Sequence, residues 1–120
     1  MNYKEKQKNY RKLMGFIQNN YSEGCIKITN GEGHLHARVK VEVAHWLKKN
    51  DYKVYSEANF RGSLGRPDLI AINEQGYGYI VEIVNSESEM SLNLKLKKYP
   101  SEFELIIVKV KDFNYDTFKL

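Results

Sequence analysis

Two carboxylates interrupt strand-like apolar runs in the middle of the chain. Asp68 directly precedes the run 69–72, and Glu82 lies inside the run 79–84. Acidic side chains are disfavoured in strands and costly to bury without a partner, so one in each of two consecutive runs indicates a shared ligand. A divalent cation such as Mg²⁺ or Mn²⁺ is the simplest choice, because hard cations take carboxylate oxygens. The pair therefore predicts a metal site, and phosphodiester chemistry is the reaction class that such a site suggests.

The composition predicts one globular domain. The chain has 120 residues, of which 42% are apolar. This is enough for a single hydrophobic core without disulfides or structural metals. Its one cysteine, Cys25, has no internal disulfide partner, and this favours a reducing, cytoplasmic setting. No apolar run approaches the roughly 20 residues of a membrane span. We therefore expect a soluble cytoplasmic protein with one domain over residues 1–120.

The charge of the chain permits a polyanionic partner. Nineteen Lys and Arg residues against fifteen Asp and Glu residues give a net charge of +4. Basic residues are concentrated in 3–12 and again in 95–98. Each cluster fits either a solvated helix face or a patch that contacts nucleic-acid phosphates.

The apolar periodicity predicts a mixed α/β sheet flanked by helices. In helix 34–50, an apolar stripe beginning at Leu35 leaves Lys40 on the exposed side. The last run is continuously apolar, which is typical of a strand covered on both faces, and the crossover before it predicts parallel pairing with its neighbour. The predicted elements are a basic N-terminal helix at about 3–20, followed by a core at about 25–112 with strands at 25–29, 52–57, 69–72, 77–84 and 103–110 and helices at 34–50 and 90–99.

This order of elements resembles the core of the restriction-endonuclease-like nucleases, the PD-(D/E)XK superfamily, over most of residues 34–110. The family signature is Pro-Asp, a spacer, then Asp or Glu, any residue and Lys, and Pro67-Asp68 and Glu82-Ile83-Val84 occupy those positions. The resolvase-like, RecB-like and competence-protein nuclease domains look most similar, through residues His36, 46–49, Glu57, 65–69, 82–83, Ser86, Lys95 and Tyr99.

The resemblance implies a DNA endonuclease that uses Mg²⁺ or Mn²⁺ and acts as a homodimer. It makes Asp68 and Glu82 the metal ligands, with Glu57 and Glu42 as further carboxylate candidates. The function that it predicts is metal-dependent cleavage of phosphodiester bonds in DNA, with selectivity for branched structures as one form of it.

One position departs from the family pattern. Val84 stands where the family has lysine, and because side chains alternate along a strand it presents a hydrocarbon on the same face as Glu82. We expect the missing positive charge to come from Lys95 on the following helix, which shares a helix face with Tyr99 through their four-residue spacing.

Four further residues are candidates for nucleic-acid contact, namely His36, Arg61, Arg66 and Ser86. Structural roles stay open for the whole set. Asp68 could cap a turn, Glu82 could pair with a lysine or arginine, Glu57 could end an exposed strand, Glu42 could pair with Arg38, the two arginines could neutralise Glu57 or Asp68, and Ser86 could cap a helix.

Two other functions remain alternatives. A nuclease-like protein that binds nucleic acid without cutting it follows if Val84 leaves the site inactive. A dimeric interaction protein unrelated to nucleic acid would fit the modest charge and the nine tyrosines.

Overall fold

A computed structural model describes residues 2–18, 23–85 and 89–120. Within these ranges the chain forms three α-helices, four strands and two short 3₁₀ helices. In chain order they are α1 (Tyr3–Met14), α2 (His34–Lys49), β1 (Lys53–Ser56), a 3₁₀ helix (Arg61–Ser63), β2 (Leu69–Ile72), β3 (Gly78–Val84), α3 (Glu89–Leu96), β4 (Glu104–Lys109) and a second 3₁₀ helix (Val110–Asp112). None of the helices in the described ranges has the length and apolar character needed to cross a membrane.

The four strands form one mixed sheet in the order β1-β2-β3-β4. The first three strands are antiparallel neighbours, and a tight turn closed by the Asn73 N–H and the Tyr77 carbonyl (3.0 Å) joins β2 to β3. The chain then crosses over through α3, and β4 pairs parallel to β3. The predicted mixed α/β class and the predicted parallel last strand are both confirmed.

Apolar residues on each face of the sheet build a separate core. Alternation along β2 sends Leu69 and Ala71 to one face and Ile70 and Ile72 to the other. Residues of α2 cover the first face, whereas Leu13 and other residues of the N-terminal segment cover the second. Because the helices hold both faces, the end of the sheet where β1 and β3 finish and β2 begins is left to form a site.

The N-terminal part is less regular than its sequence pattern predicts. Helix α1 ends at Met14, before residue 20, because the following chain pairs with another loop: the Gln18 N–H donates to the Asn59 carbonyl (2.9 Å) and the Arg61 N–H to the Phe16 carbonyl (2.8 Å). These bonds replace those of a further helical turn.

The predicted strand at 25–29 does not form, although this segment lies alongside β1. The Lys27 N–H donates to Ser56 Oγ (2.6 Å), and Ser56 Oγ donates to the Cys25 carbonyl (3.1 Å). A serine hydroxyl thus takes the place of a backbone ladder along this edge of β1.

Strand β4 is more exposed than its sequence pattern predicts. It is one of the two edge strands of the sheet, and Leu105 and Ile107 are 37% and 36% exposed. The prediction of a strand covered on both faces is therefore wrong. An apolar run reports hydrophobic content but does not distinguish an edge strand from a central one.

Helix α2 has nearly its predicted bounds, but two residues lie on unexpected sides. Leu35, predicted in the buried stripe, is 44% exposed, whereas Lys40, predicted on the exposed side, is fully buried. A buried lysine needs compensating charges, and these charges belong to the candidate site.

Candidate active site

Three carboxylates fall in one row at the end of the sheet. Leu69 pairs with Val81, so the same register sets Asp68 opposite Glu82. On the other side Ser56 pairs with Leu69, and one step further the Glu57 N–H donates to the Asp68 carbonyl (3.1 Å). Glu57, Asp68 and Glu82 are all buried. The structure therefore brings together the two carboxylates that the sequence singled out, with Glu57 beside them.

The Asp68 carboxylate is held by the backbone of β3 and by helix α2. Its Oδ2 accepts a hydrogen bond from the Ile83 N–H (2.7 Å) and lies 3.3 Å from His36 Nε2. The other ring nitrogen of His36, Nδ1, contacts the Glu32 carboxylate. His36 thus connects Asp68 to an acidic residue in the loop before α2. Asp68 does bond to nearby backbone, as the turn-capping alternative supposed, but its bond reaches across to the next strand.

The buried Lys40 joins two further carboxylates. Its Nζ lies 2.7 Å from Glu32 Oε1 and 3.2 Å from Glu57 Oε1. Arg66 then contacts the other oxygen of Glu57, with Nε 3.3 Å from Oε2. The result is a continuous series of polar and ionic contacts, here called the α2 charge chain, which consists of Arg66, Glu57, Lys40, Glu32, His36 and Asp68.

Glu32 is firmly ionised within the α2 charge chain. Burial by itself would raise its pKa, but hydrogen bonds from Lys40, the Thr29 N–H and His36 outweigh burial and lower the pKa to about 2. Sequence reasoning missed both Glu32 and the role of Lys40. The four-residue spacing of Glu32, His36 and Lys40 was the available signal, since such residues share one side of a helical turn.

Glu82 is held differently, by residues at the end of α3 and just beyond it. Lys95 Nζ lies 3.1 Å from Glu82 Oε2, and the Tyr99 hydroxyl donates to Glu82 Oε1. Lys95 and Tyr99 therefore reach the same carboxylate. The predicted helix through residue 99 is wrong, because α3 ends at Leu96 and the chain then turns, with the Tyr99 N–H donating to the Leu96 carbonyl (3.2 Å).

The charge on Glu82 is poorly compensated in spite of these contacts. Its side chain is only 1% exposed. Burial and then the neighbouring Asp68 charge raise the pKa of Glu82 to about 7, and Tyr99 and Lys95 oppose that rise only in part. A cation between Glu82 and Asp68 would relieve this repulsion.

A polar cleft of about 510 Å³ opens onto Glu32, Glu57 and Asp68. Its lining combines acidic side chains with the cationic side chains of Arg66 and Lys95. Arg66 keeps 49% of its side chain exposed while it contacts Glu57. The cleft is lined by Thr29, Asn30, Gly31, Glu32, Gly33, His36, Glu57, Arg66, Asp68, Asn85 and Lys95.

Two of the predicted site residues lie away from this cleft, and a third falls outside the described residues. Glu42 pairs with Arg38 (3.4 Å) on the exposed surface of α2, about 200° around the helix from Lys40. Arg61 is exposed in the first 3₁₀ helix. Ser86 lies outside the described residues.

The carboxylate pair fits a hard divalent cation. Mg²⁺ is commonly bound through one or two carboxylates, with substrate phosphates and waters completing its shell, and Asp68 and Glu82 supply such a pair with unrelieved like charge. In the part of the chain that the structure describes, no group of three or more His, Cys, Asp or Glu side chains is arranged to hold a metal ion. A cation here would therefore take its remaining ligands from water and substrate.

Comparison with known proteins identifies no relative of this chain. No protein-family model matches the chain, and neither a curated protein nor a solved structure matches it significantly. The function must therefore be argued from the geometry of the cleft.

Proposed function

We propose that the protein is a DNA endonuclease with a restriction-endonuclease-like fold, in which Asp68 and Glu82 hold Mg²⁺ or Mn²⁺. The observation that carries the proposal is the contact between Lys95 Nζ and Glu82 Oε2, 3.1 Å apart. Val84 leaves the signature without its cation, and Lys95 brings a cation to the same carboxylate from the following helix. An aspartate, a glutamate and a lysine thus converge despite the altered motif.

The topology supports this proposal. An antiparallel set of three strands, a helical crossover and a parallel fourth strand, with α2 covering one face, is the arrangement that the sequence resemblance implied. The carboxylates occupy neighbouring strands at one end of the sheet, where the cleft opens.

The residues around the carboxylates would have separate roles in phosphodiester cleavage. When bound, Mg²⁺ or Mn²⁺ would activate a water and offset charge on the scissile phosphate. Lys95 adds a fixed positive charge on the Glu82 side, where negative charge develops in the transition state. Arg66, half exposed beside Glu57, can offer its remaining guanidinium donors to a phosphate oxygen. His36 holds Asp68 from the other side.

A homodimer is part of the proposal, because a domain of 120 residues covers little of a DNA duplex. Two copies would also present two clefts, one for each strand.

The experiment is a cleavage assay on linear, supercoiled and four-way-junction DNA with Mn²⁺, with and without EDTA. Asp68→Asn and Glu82→Gln should each abolish cleavage while the circular dichroism spectrum stays unchanged. Glu42→Gln is the matched control, since it removes a carboxylate outside the cleft and should cut like the wild type. Undiminished cleavage by both Asp68→Asn and Glu82→Gln would sink the proposal.

A nucleic-acid-binding protein that does not cut is the second candidate. It is favoured by the buried hydrocarbon of Val84 and by the engagement of both Glu82 oxygens with Lys95 and Tyr99. Its DNA binding should weaken steeply with salt and be indifferent to EDTA. Nicking of any of the three substrates that depends on metal would exclude it.

A further inference from the structure

Gly65 makes an unusually close approach to Tyr99. The backbone of Gly65 has φ +107°, a region that side chains rarely adopt, and a Cβ built there would lie 2.6 Å from Tyr99 Cε1. The aromatic ring therefore lies directly against the backbone, at the point where any other residue would push it away.

A second contact holds the same ring. Phe60 meets Tyr99 edge to face with 5.8 Å between ring centroids, and the Phe60 N–H donates to the Gly65 carbonyl (2.9 Å). The loop 60–65 is thus closed on itself with the Tyr99 ring packed against both of its ends. The hydroxyl of the ring points to Glu82 Oε1.

We propose that Tyr99 is a positioning residue, clamped by Gly65 and Phe60, that fixes the Glu82 carboxylate in the orientation needed to share a divalent cation with Asp68. The cation in this statement rests on the proposed function, whereas the clamp rests on the contacts above. Lys95 and Tyr99 hold one oxygen each of Glu82, so the carboxylate has no free rotation. Hydrogen bonds of this kind orient metal-binding carboxylates and are commonly worth 10- to 100-fold in affinity or activity.

The clamp also connects the two carboxylates. Gly65 lies three residues before Asp68 in the same loop, so the segment that leads to Asp68 is the one that presses Tyr99 toward Glu82. This explains why a glycine precedes Arg66-Pro67-Asp68 in this chain.

The test compares Tyr99→Phe, which keeps the ring and removes only the hydroxyl, with the wild type. In Mn²⁺ titrations by calorimetry the dissociation constant should rise about tenfold, and in cleavage assays kcat should fall while KM for DNA stays constant. Gly65→Ala should give a similar loss by displacing the ring, and the double variant should lose no more than either single variant. Tyr52→Phe is the control, because Tyr52 is a partly buried tyrosine in the other core, beside Trp46 and Tyr79.

Wild-type Mn²⁺ affinity and wild-type kcat in Tyr99→Phe would overturn the inference. If the wild type itself neither binds Mn²⁺ nor cuts DNA, the proposed function fails, and metal-free crystal structures then decide the clamp separately. A displaced or disordered Glu82 carboxylate in the Tyr99→Phe structure supports the positioning role of Tyr99, and an unchanged carboxylate position overturns that role.

Discussion

The two central carboxylates, Asp68 and Glu82, are opposite each other in the sheet register but are held by different kinds of structure. Asp68 ends the α2 charge chain, in which Lys40 and Arg66 pair with Glu57, Lys40 also pairs with Glu32, and Glu32 is firmly ionised. Glu82 is deeper in the protein, and its pKa is raised to about 7 because burial and Asp68 outweigh its two partners. One half of the site is electrostatically satisfied, whereas the other half would gain from a cation.

This contrast separates stability from function. A buried charge that loses its partner destabilises the fold strongly, so changes in the α2 charge chain should act mainly on folding. Changes around Glu82 should impair the chemistry without destabilising the fold, because burial and the Asp68 charge already disfavour the ionised Glu82 carboxylate.

The largest expected effect is on folding, from Lys40→Met. This change leaves Glu32 and Glu57 buried without their shared cation, and breaking a buried pair costs about 3 to 5 kcal/mol of unfolding free energy. Urea denaturation measures the loss. Arg38→Met removes the cation of a surface pair and should cost at most about 1 kcal/mol. Equal losses of unfolding free energy in the two variants would show that the α2 charge chain has no special role in stability.

The next effect is on turnover, from Lys95→Ala. We expect kcat to fall by about 100-fold, which is typical for loss of one group that stabilises transition-state charge, with little change in DNA affinity. Restoring a lysine at the signature position in the double variant Val84→Lys, Lys95→Ala should recover part of the activity. Equal losses in kcat and DNA affinity would make Lys95 a simple phosphate contact.

The pH dependence of stability should differ in sign between the two halves. Glu82 has its pKa raised from 4.5 to about 7, so its ionisation destabilises the folded protein as pH rises through that interval. Without metal, Glu82→Gln should therefore be more stable than the wild type above about pH 7, by about 3 kcal/mol, and the gain should vanish below pH 4.5.

Glu32→Gln should behave in the opposite way. The pKa of Glu32 is lowered from 4.5 to about 2, so ionised Glu32 contributes stability that is present above pH 4.5 and is lost as pH falls toward 2. The variant should therefore be less stable than the wild type at neutral pH. Urea titrations at several pH values in EDTA measure both trends, and trends of the same sign would contradict the contrast between the two halves.

The smallest effect concerns the rim of the cleft. Arg66→Ala should weaken DNA binding a few-fold and reduce the slope of log affinity against log salt by about 1, because Arg66 lines the cleft. Arg61→Ala, which removes an exposed arginine outside it, should leave the slope unchanged. Fluorescence anisotropy at several salt concentrations distinguishes the two variants, and equal slopes for both would remove Arg66 from the interface.

Local patterns were enough to predict the elements around the site. Strand β2 has its predicted bounds, and helix α2 has nearly its predicted bounds. These features depend on residues close together in the chain, where periodicity is informative.

Burial of charge could not be predicted in the same way. Lys40 has a polar side chain that a helix pattern assigns to solvent, and only the approach of Glu57 from β1 and of Glu32 from the preceding loop makes its burial possible. Exposure of Leu105 and Ile107 likewise depends on the position of β4 at the sheet edge. Both outcomes follow from tertiary neighbours and leave no periodic signal.

The pairing of β2 with β3 makes the site sensitive to chain length as well as to residue type. The turn from Asn73 to Tyr77 lies at the far end of the hairpin, yet it sets which residue of β3 stands opposite Asp68. If one residue inserted in that turn shifted the pairing by one position, Glu82 would leave the row and the side chain opposite Asp68 would be an apolar neighbour. Substitutions of the exposed Glu74 and Gln75 in this remote turn should be tolerated, whereas insertions and deletions there should inactivate the protein.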